Sequence, residues 1–203
     1  MYAKAAKDYP DYEFQRILEQ DKEEELRSTR LDRGALVLVG NGVEELDVVS
    51  FVTALKEANI EVVTASIEGN RTIRGKQSLT FRADTILSDV DKPLDFLGVV
   101  IPGGNKNYTL TMSRDERVRV LVRCQYDRKG ICCSLGSGVI TLKNSGILYG
   151  RQYTAPPDLR EQLPDLEEDV AVKADENVVT SQGGGTALDA AMTLVELYQG
   201  QTA

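Results

Sequence analysis

The sequence predicts an α/β fold built on a parallel sheet. Three observations carry this. Short, unbroken apolar runs recur, among them "ALVLVG" at 35–40 and "FLGVVIPGG" at 96–104, and each stops at glycine or Pro-Gly-Gly. An unbroken apolar run reads as a strand buried on both faces, which is how parallel strands lie. Between the runs stand segments with helical spacing, so strands and helices alternate along the chain.

Taken in order, "ALVLVG" leads into "VEELDVVSFVTALKEAN" at 43–59, a helix by its apolar spacing, and "IEVVTASI" at 60–67 is the next strand. "FLGVVIPGG" follows, then the amphipathic helix "RDERVRVLVRCQYDRKG" at 114–130. "GICCSL" at 130–135 is a strand that runs through a Gly-rich turn into a helix-like pattern. "ENVVTSQGGGTALDAAMTLVELYQG" at 176–200 is strand, glycine turn and helix, the helix opening near Thr186. Simple packing of that last turn is favoured over ligand binding.

Residues 1–32 differ in composition from residues 33–203, and the two are read as a charged helical extension and a single α/β domain. "DYEFQRILEQDKEEELRSTR" at 11–30 is charge-dense, with a thin apolar stripe at Tyr12, Phe14, Ile17, Leu18 and Leu26. An isolated helix of this kind is marginal in water, so it is expected to dock a protein partner. The net charge of −8 argues against a nucleic-acid partner, because phosphate contacts need a basic surface. No apolar run approaches the roughly 20 residues of a membrane span, and the N-terminus lacks the apolar centre of a secretory signal. The three cysteines, Cys124, Cys132 and Cys133, have neither disulfide nor zinc spacing. A cytoplasmic, reducing setting is expected, within a large cytoskeletal or other assembly, with no cofactor and no metal. Histidine is absent from the 203 residues, which removes every Ser-His, Cys-His and His-metal mechanism that the chain itself could supply.

Three loops leave carboxyl ends of expected strands with chemistry-bearing residues. "GNGVEELDVV" carries Glu44, Glu45 and Asp47; "PGGNKN" spans 102–107; "LGSG" spans 135–138. In an open parallel sheet such loops converge where the strand order reverses. Glycine pairs let the backbone approach a ligand and offer N–H donors. Each loop alone is an ordinary turn or a helix start; together, in this order, they point to a site.

These segments, with "SGILYGRQYTAPP" at 145–157, resemble the ThiJ/PfpI superfamily and its parkinsonism-associated deglycase branch. The resemblance runs from about Gly34 to Gly200. It implies a flavodoxin-like three-layer sandwich related to class I glutamine amidotransferase domains, and a homodimer. It also implies glyoxalase, deglycase, chaperone or protease activity, centred on an elbow cysteine, a carboxylate from the first loop and a histidine before a proline. Carried over by position, the carboxylate is Asp47, one methylene shorter than the Glu of many relatives. The glycine pair is Gly103 and Gly104, and the histidine position holds Ala155. Counting back without gaps from "SGIL" puts the elbow on Leu135, followed by Gly136. Cys132 and Cys133 then lie inside the strand on opposite faces.

The resulting expectation is a non-catalytic member, a pseudoenzyme serving as a structural or binding module. Two alternatives stay open. One is a cysteine-dependent glyoxalase or deglycase acting on small reactive carbonyls through Cys132 or Cys133 with Asp47. The other is a small-molecule or anion sensor at Gly104 and Gly136.

Overall fold

The computed structural model describes residues 33–90 and 92–201. The expected N-terminal helix lies outside the described residues. The domain is built on seven strands of one sheet: β1 (Arg33–Val39), β2 (Val62–Ser66), β5 (Thr85–Ile86), β6 (Phe96–Ile101), β7 (Ile131–Leu135), β8 (Val172–Asp175) and β9 (Val178–Ser181). Their spatial order is β5-β2-β1-β6-β7-β9-β8. Every pairing is parallel except β8 with β9, so the expected parallel sheet carries one antiparallel edge. The chain winds outward from β1 through β2 to β5, then returns to β6 on the other side of β1. That reversal places the switch point, and the crevice it opens, at the carboxyl ends of β1 and β6.

The central strands are buried as their composition requires. Ala35 through Val39 are wholly inaccessible, as are Val100 and Ile101. Helices α1 (Glu45–Glu57) and α5 (Ala187–Gln201) pack together on the sheet. Helices α2 (Lys106–Arg114), α3 (Glu116–Asp127) and α4 (Val139–Asn144) form another packed group. Along α1, Val48, Phe51, Ala54 and Leu55 are buried, the three-to-four-residue spacing that lays one helix face on a core. Burying Phe51 alone is worth about 2–3 kcal/mol. Helix α3 begins at Asp115, whose carboxylate caps the Arg117 amide at 2.9 Å, and it buries Val118, Leu121 and Val122.

The pattern along the sequence misses a separate small hairpin of β3 (Thr72–Arg74) and β4 (Thr80–Arg82). Its tip is held to the start of α1. The buried Glu45 carboxylate accepts the Gln77 amide at 2.8 Å and the Leu79 amide at 3.3 Å. Lys76 pairs with Glu44 at 2.6 Å, and its amide bonds the Val43 carbonyl. Glu45 is therefore the anchor of this hairpin. Glu45→Ala should cost about 1–2 kcal/mol, since it strips two part-buried amides of their charged acceptor. Urea denaturation reads the loss, and faster hydrogen exchange at the Gln77 and Leu79 amides locates it.

Candidate functional site

Four loops meet above the switch point. The loop after β1 and the loop after β6 are laced together by backbone bonds. The Glu44 amide bonds the Gly103 carbonyl, the Asn105 amide bonds the Gly42 carbonyl, both at 2.8 Å, and Val43 bridges Gly104. Asn105 then caps α2 by accepting the Tyr108 amide at 3.0 Å. Asp47 sits in the first turn of α1, so its side chain reaches across this seam. Its Oδ2 accepts the Gly103 amide at 2.8 Å. Its Oδ1 has no partner, although only 1% of the residue is exposed.

The loop after β7 decides what chemistry is present. The left-handed turn falls on Gly136, with φ +51°. Leu135 is the last residue of β7, extended at φ −120° and fully buried. The expectation that Leu135 occupies the elbow is therefore corrected by one residue. An L-residue side chain disfavours the left-handed region, so the turn selects the glycine that follows the strand. A Cβ built on Gly136 would meet nothing closer than 3.7 Å, so the position has room for a side chain that it lacks. Gly183, after β9, is different: a Cβ there would stand 2.8 Å from the Gly136 Cα. Backbone packs on backbone at that point, which accounts for one of the glycines of "QGGG". The adjoining turn, Gly184–Thr186, opens α5 at Ala187, close to the expected Thr186.

Ser137 follows the elbow and is tied on three sides. Its Oγ accepts from Thr109 Oγ1 at 2.7 Å and from the Gly104 amide at 3.2 Å, and donates to the Gly104 carbonyl at 3.2 Å. The four loops enclose a cleft of about 240 Å³ lined by Asp47, Gly103, Gly104, Gly136, Ser137, Gly183 and Gly184. Glu44, Lys76, Asp158 and Gln182 complete its wall. The first loop, the Gly-Gly pair and the elbow thus come together as the sequence suggests. Lys76 and Asp158 enter from outside those motifs. Lys76 rides on a polar hairpin whose docking depends on Glu45, and no local pattern announces it.

Neither buried cysteine reaches this cleft. Cys132 and Cys133 are both fully inaccessible within β7, on opposite faces of the strand. The Cys132 Sγ donates to the Val122 carbonyl of α3 at 3.6 Å, and burial pushes its pKa up to about 12. Burial pushes the Cys133 thiol up as well. Ala155 is also wholly buried. Among the described residues no cluster of three or more His, Cys, Asp or Glu side chains is arranged to hold a metal ion, and no helix is long and apolar enough to cross a membrane.

Asp47 is the electrostatically strained group of the cleft. Burial raises its pKa from 3.8 to about 6, aided by the negative charge of Glu44 and opposed by the Gly103 and Gly184 amides and Lys76. The folded state therefore binds this proton more tightly than the unfolded chain. The stability that follows is full below about pH 4 and is lost as pH rises through about 6, a change of about 3 kcal/mol at most.

Comparison with known proteins places this geometry. The family model of the DJ-1/PfpI family matches residues 33–197. The Parkinson disease protein 7 homolog of Danio rerio is 29% identical over 170 residues, covering 82% of this chain and 89% of that protein. A putative cysteine protease of Bacillus subtilis is 28% identical over 149 residues, covering 72% and 86%. The crystal structure of Drosophila melanogaster DJ-1beta superposes with a TM-score of 0.77 at 29% identity, covering 82% of this chain and 90% of that one.

Replacing Asp47 by Asn removes the strained charge while keeping an acceptor for the Gly103 amide. Asp47→Asn should raise stability at neutral pH by about 1–2 kcal/mol. The gain should fade as pH falls through 6 and vanish below about 4. Urea denaturation of both proteins at several pH values checks the sign. A loss of several kcal/mol at neutral pH would mean that Asp47 has a charged partner.

Proposed function

The chain belongs to the DJ-1/PfpI family, and from that premise we propose that it is a non-catalytic member, a pseudoenzyme whose cleft serves as a binding module in a larger assembly. The observation that carries this reading is Gly136: the residue at the left-handed turn of the cleft has no side chain, and so no nucleophile. Support also comes from Ala155 at the position matched to the family histidine and from the absence of histidine in the sequence. A reactive thiol needs exposure and a positive surrounding, and burial denies Cys132 and Cys133 both. The alternative, an enzyme acting on small carbonyls through one of them, requires β7 to open.

A homodimer fits the surface. Leu46 and Val49 of α1, Leu79 of the hairpin, and Leu188 and Met192 of α5 are exposed apolar side chains, on two helices that pack side by side. An apolar groove of about 450 Å³ runs between α1 and β4 beside them, lined by Val49, Val52, Leu79 and Phe81. An apolar patch of that kind marks an interface. The partner-binding role stays with residues 1–32, which precede the matched family region.

Purified protein should not turn over methylglyoxal. Gly136→Cys should gain one thiol that reacts with disulfide reagents at neutral pH, faster than any native cysteine, at a conformational cost of about 1–2 kcal/mol. Turnover by the native protein that Cys132→Ser or Cys133→Ser abolishes would defeat the non-catalytic reading.

Deletion of residues 1–30 should leave melting within a few degrees of the full chain and abolish recovery with endogenous partners. A fall in melting of more than about 10 °C would make the segment part of the fold. Unchanged melting with unchanged recovery would remove its tethering role.

A further inference from the structure

The helical group of α2, α3 and α4 carries a charge opposite to that of the chain. Residues 106–143 hold eight lysines and arginines against three acids, in a protein of net charge −8. This packed group is separate from α1 and α5, which carry the patch assigned to the homodimer. Along α3, Val118, Leu121 and Val122 face the core, and Glu116, Arg119, Val120 and Arg123 face outward. A shallow groove of about 240 Å³ lies between that outer face and the carboxyl end of α4. Its lining includes Glu116, Arg119, Val120, Arg123, Cys124 and Asn144. Its apolar part is Val120, 55% exposed, beside the half-buried Cys124. The Asn144 Nδ2 donates to the Ser113 carbonyl at 3.2 Å, which brings the end of α2, with Arg114, to the groove. Arg123 is neutralised by Asp127 at 2.9 Å. The side chains of Arg114 and Arg119 make no ion pair or hydrogen bond among the described residues, and Glu116 in the first turn of α3 opposes them.

We infer that this groove docks an acidic peptide segment of another protein, with one apolar side chain seated on Val120 and carboxylates facing Arg119 and Arg114. Guanidinium groups left unpaired beside an exposed aliphatic side chain are complementary to carboxylates beside an aliphatic one. A nucleic acid offers phosphates but no aliphatic side chain for Val120, and a bilayer presents a plane rather than a projection that enters a groove. The surface goes beyond the non-catalytic reading and does not depend on it, since the groove and the cleft share no residue.

The test titrates the full chain, at neutral pH and low ionic strength, into a fluorescein-labelled peptide of glutamates flanking one leucine, read by anisotropy. Binding should saturate below about 1 mM and weaken as salt is added. Replacing the leucine by serine should weaken it about three- to tenfold, and replacing the glutamates by lysines should abolish it. In the protein, Arg119→Glu should weaken it about tenfold and Val120→Ser about three- to tenfold. Both positions are exposed, so both variants should keep the melting temperature of the native chain. Cys124 locates the site: saturating peptide should slow its reaction with a disulfide reagent several-fold, followed by mass spectrometry of the modified fragment. No saturation, equal binding of the serine peptide, binding unaltered by Arg119→Glu, or an unprotected Cys124 would each overturn the inference. So would tighter binding, at the same residues, of single-stranded oligothymidylate or of phosphatidylserine vesicles. Failure here leaves the non-catalytic reading standing, because that reading is judged by thiol reactivity and methylglyoxal turnover.

Discussion

The hydrogen bond from the Gly103 amide to Asp47 joins the two directions in which the sheet is wound. Asp47 belongs to the helix after β1, and Gly103 to the loop after β6, and the chain reverses its strand order between those two strands. The bond, with the backbone lacing of Gly42–Glu44 to Gly103–Asn105, closes the crevice floor that an open parallel sheet leaves at its switch point. It holds a carboxylate where burial opposes its charge, so the group that seals the seam is also the one whose ionisation the fold resists. Glu45, two residues earlier, plays the companion part, since it fixes the hairpin that brings Lys76 to the cleft wall.

Around that seam the glycines have separate physical duties. Gly136 supplies a backbone conformation that side chains disfavour, and Gly183 supplies thinness where its backbone meets Gly136. The distinction bears on function. At Gly183 a side chain has nowhere to go, so the glycine is a packing requirement. At Gly136 there is space for a side chain, and it is the left-handed backbone rather than packing that favours glycine. In the neighbouring strand, the alternation of β7 sends Cys132 and Cys133 into the two faces of the core.

The cleft that results is small and polar. Carboxylates outnumber cations in its wall, and the Gly103, Gly104 and Gly183 amides are bonded within the protein to Asp47, Ser137 and Ser181. Ser137 cannot act as a free hydroxyl while Thr109 and both polar groups of Gly104 engage it.

The sequence by itself determined the alternation of strand and helix, the approximate extents of β1, β6, β7 and α5, and the meeting of Asp47, Gly103 and Gly136, because apolar runs and glycine stops are local signals that burial demands. It also determined that no histidine takes part. Other features were not legible. The segments "TIR", "TFR" and "VKAD" are short and half polar, so neither period-2 alternation nor an apolar run marks them. Helix α2, "KNYTLTMSR", is polar overall, although Asn105 before it and the buried pair Tyr108 and Met112, four apart, were a readable start and face. Whether the elbow fell on Leu135 or on Gly136 was beyond the pattern, because a run of apolar residues does not say which residue is the last extended one. Only the tertiary structure decided it. The end of β7 must pair with Ser181 of β9 while the next residue turns against Gly183, and that geometry keeps the leucine in the core and puts the glycine in the cleft.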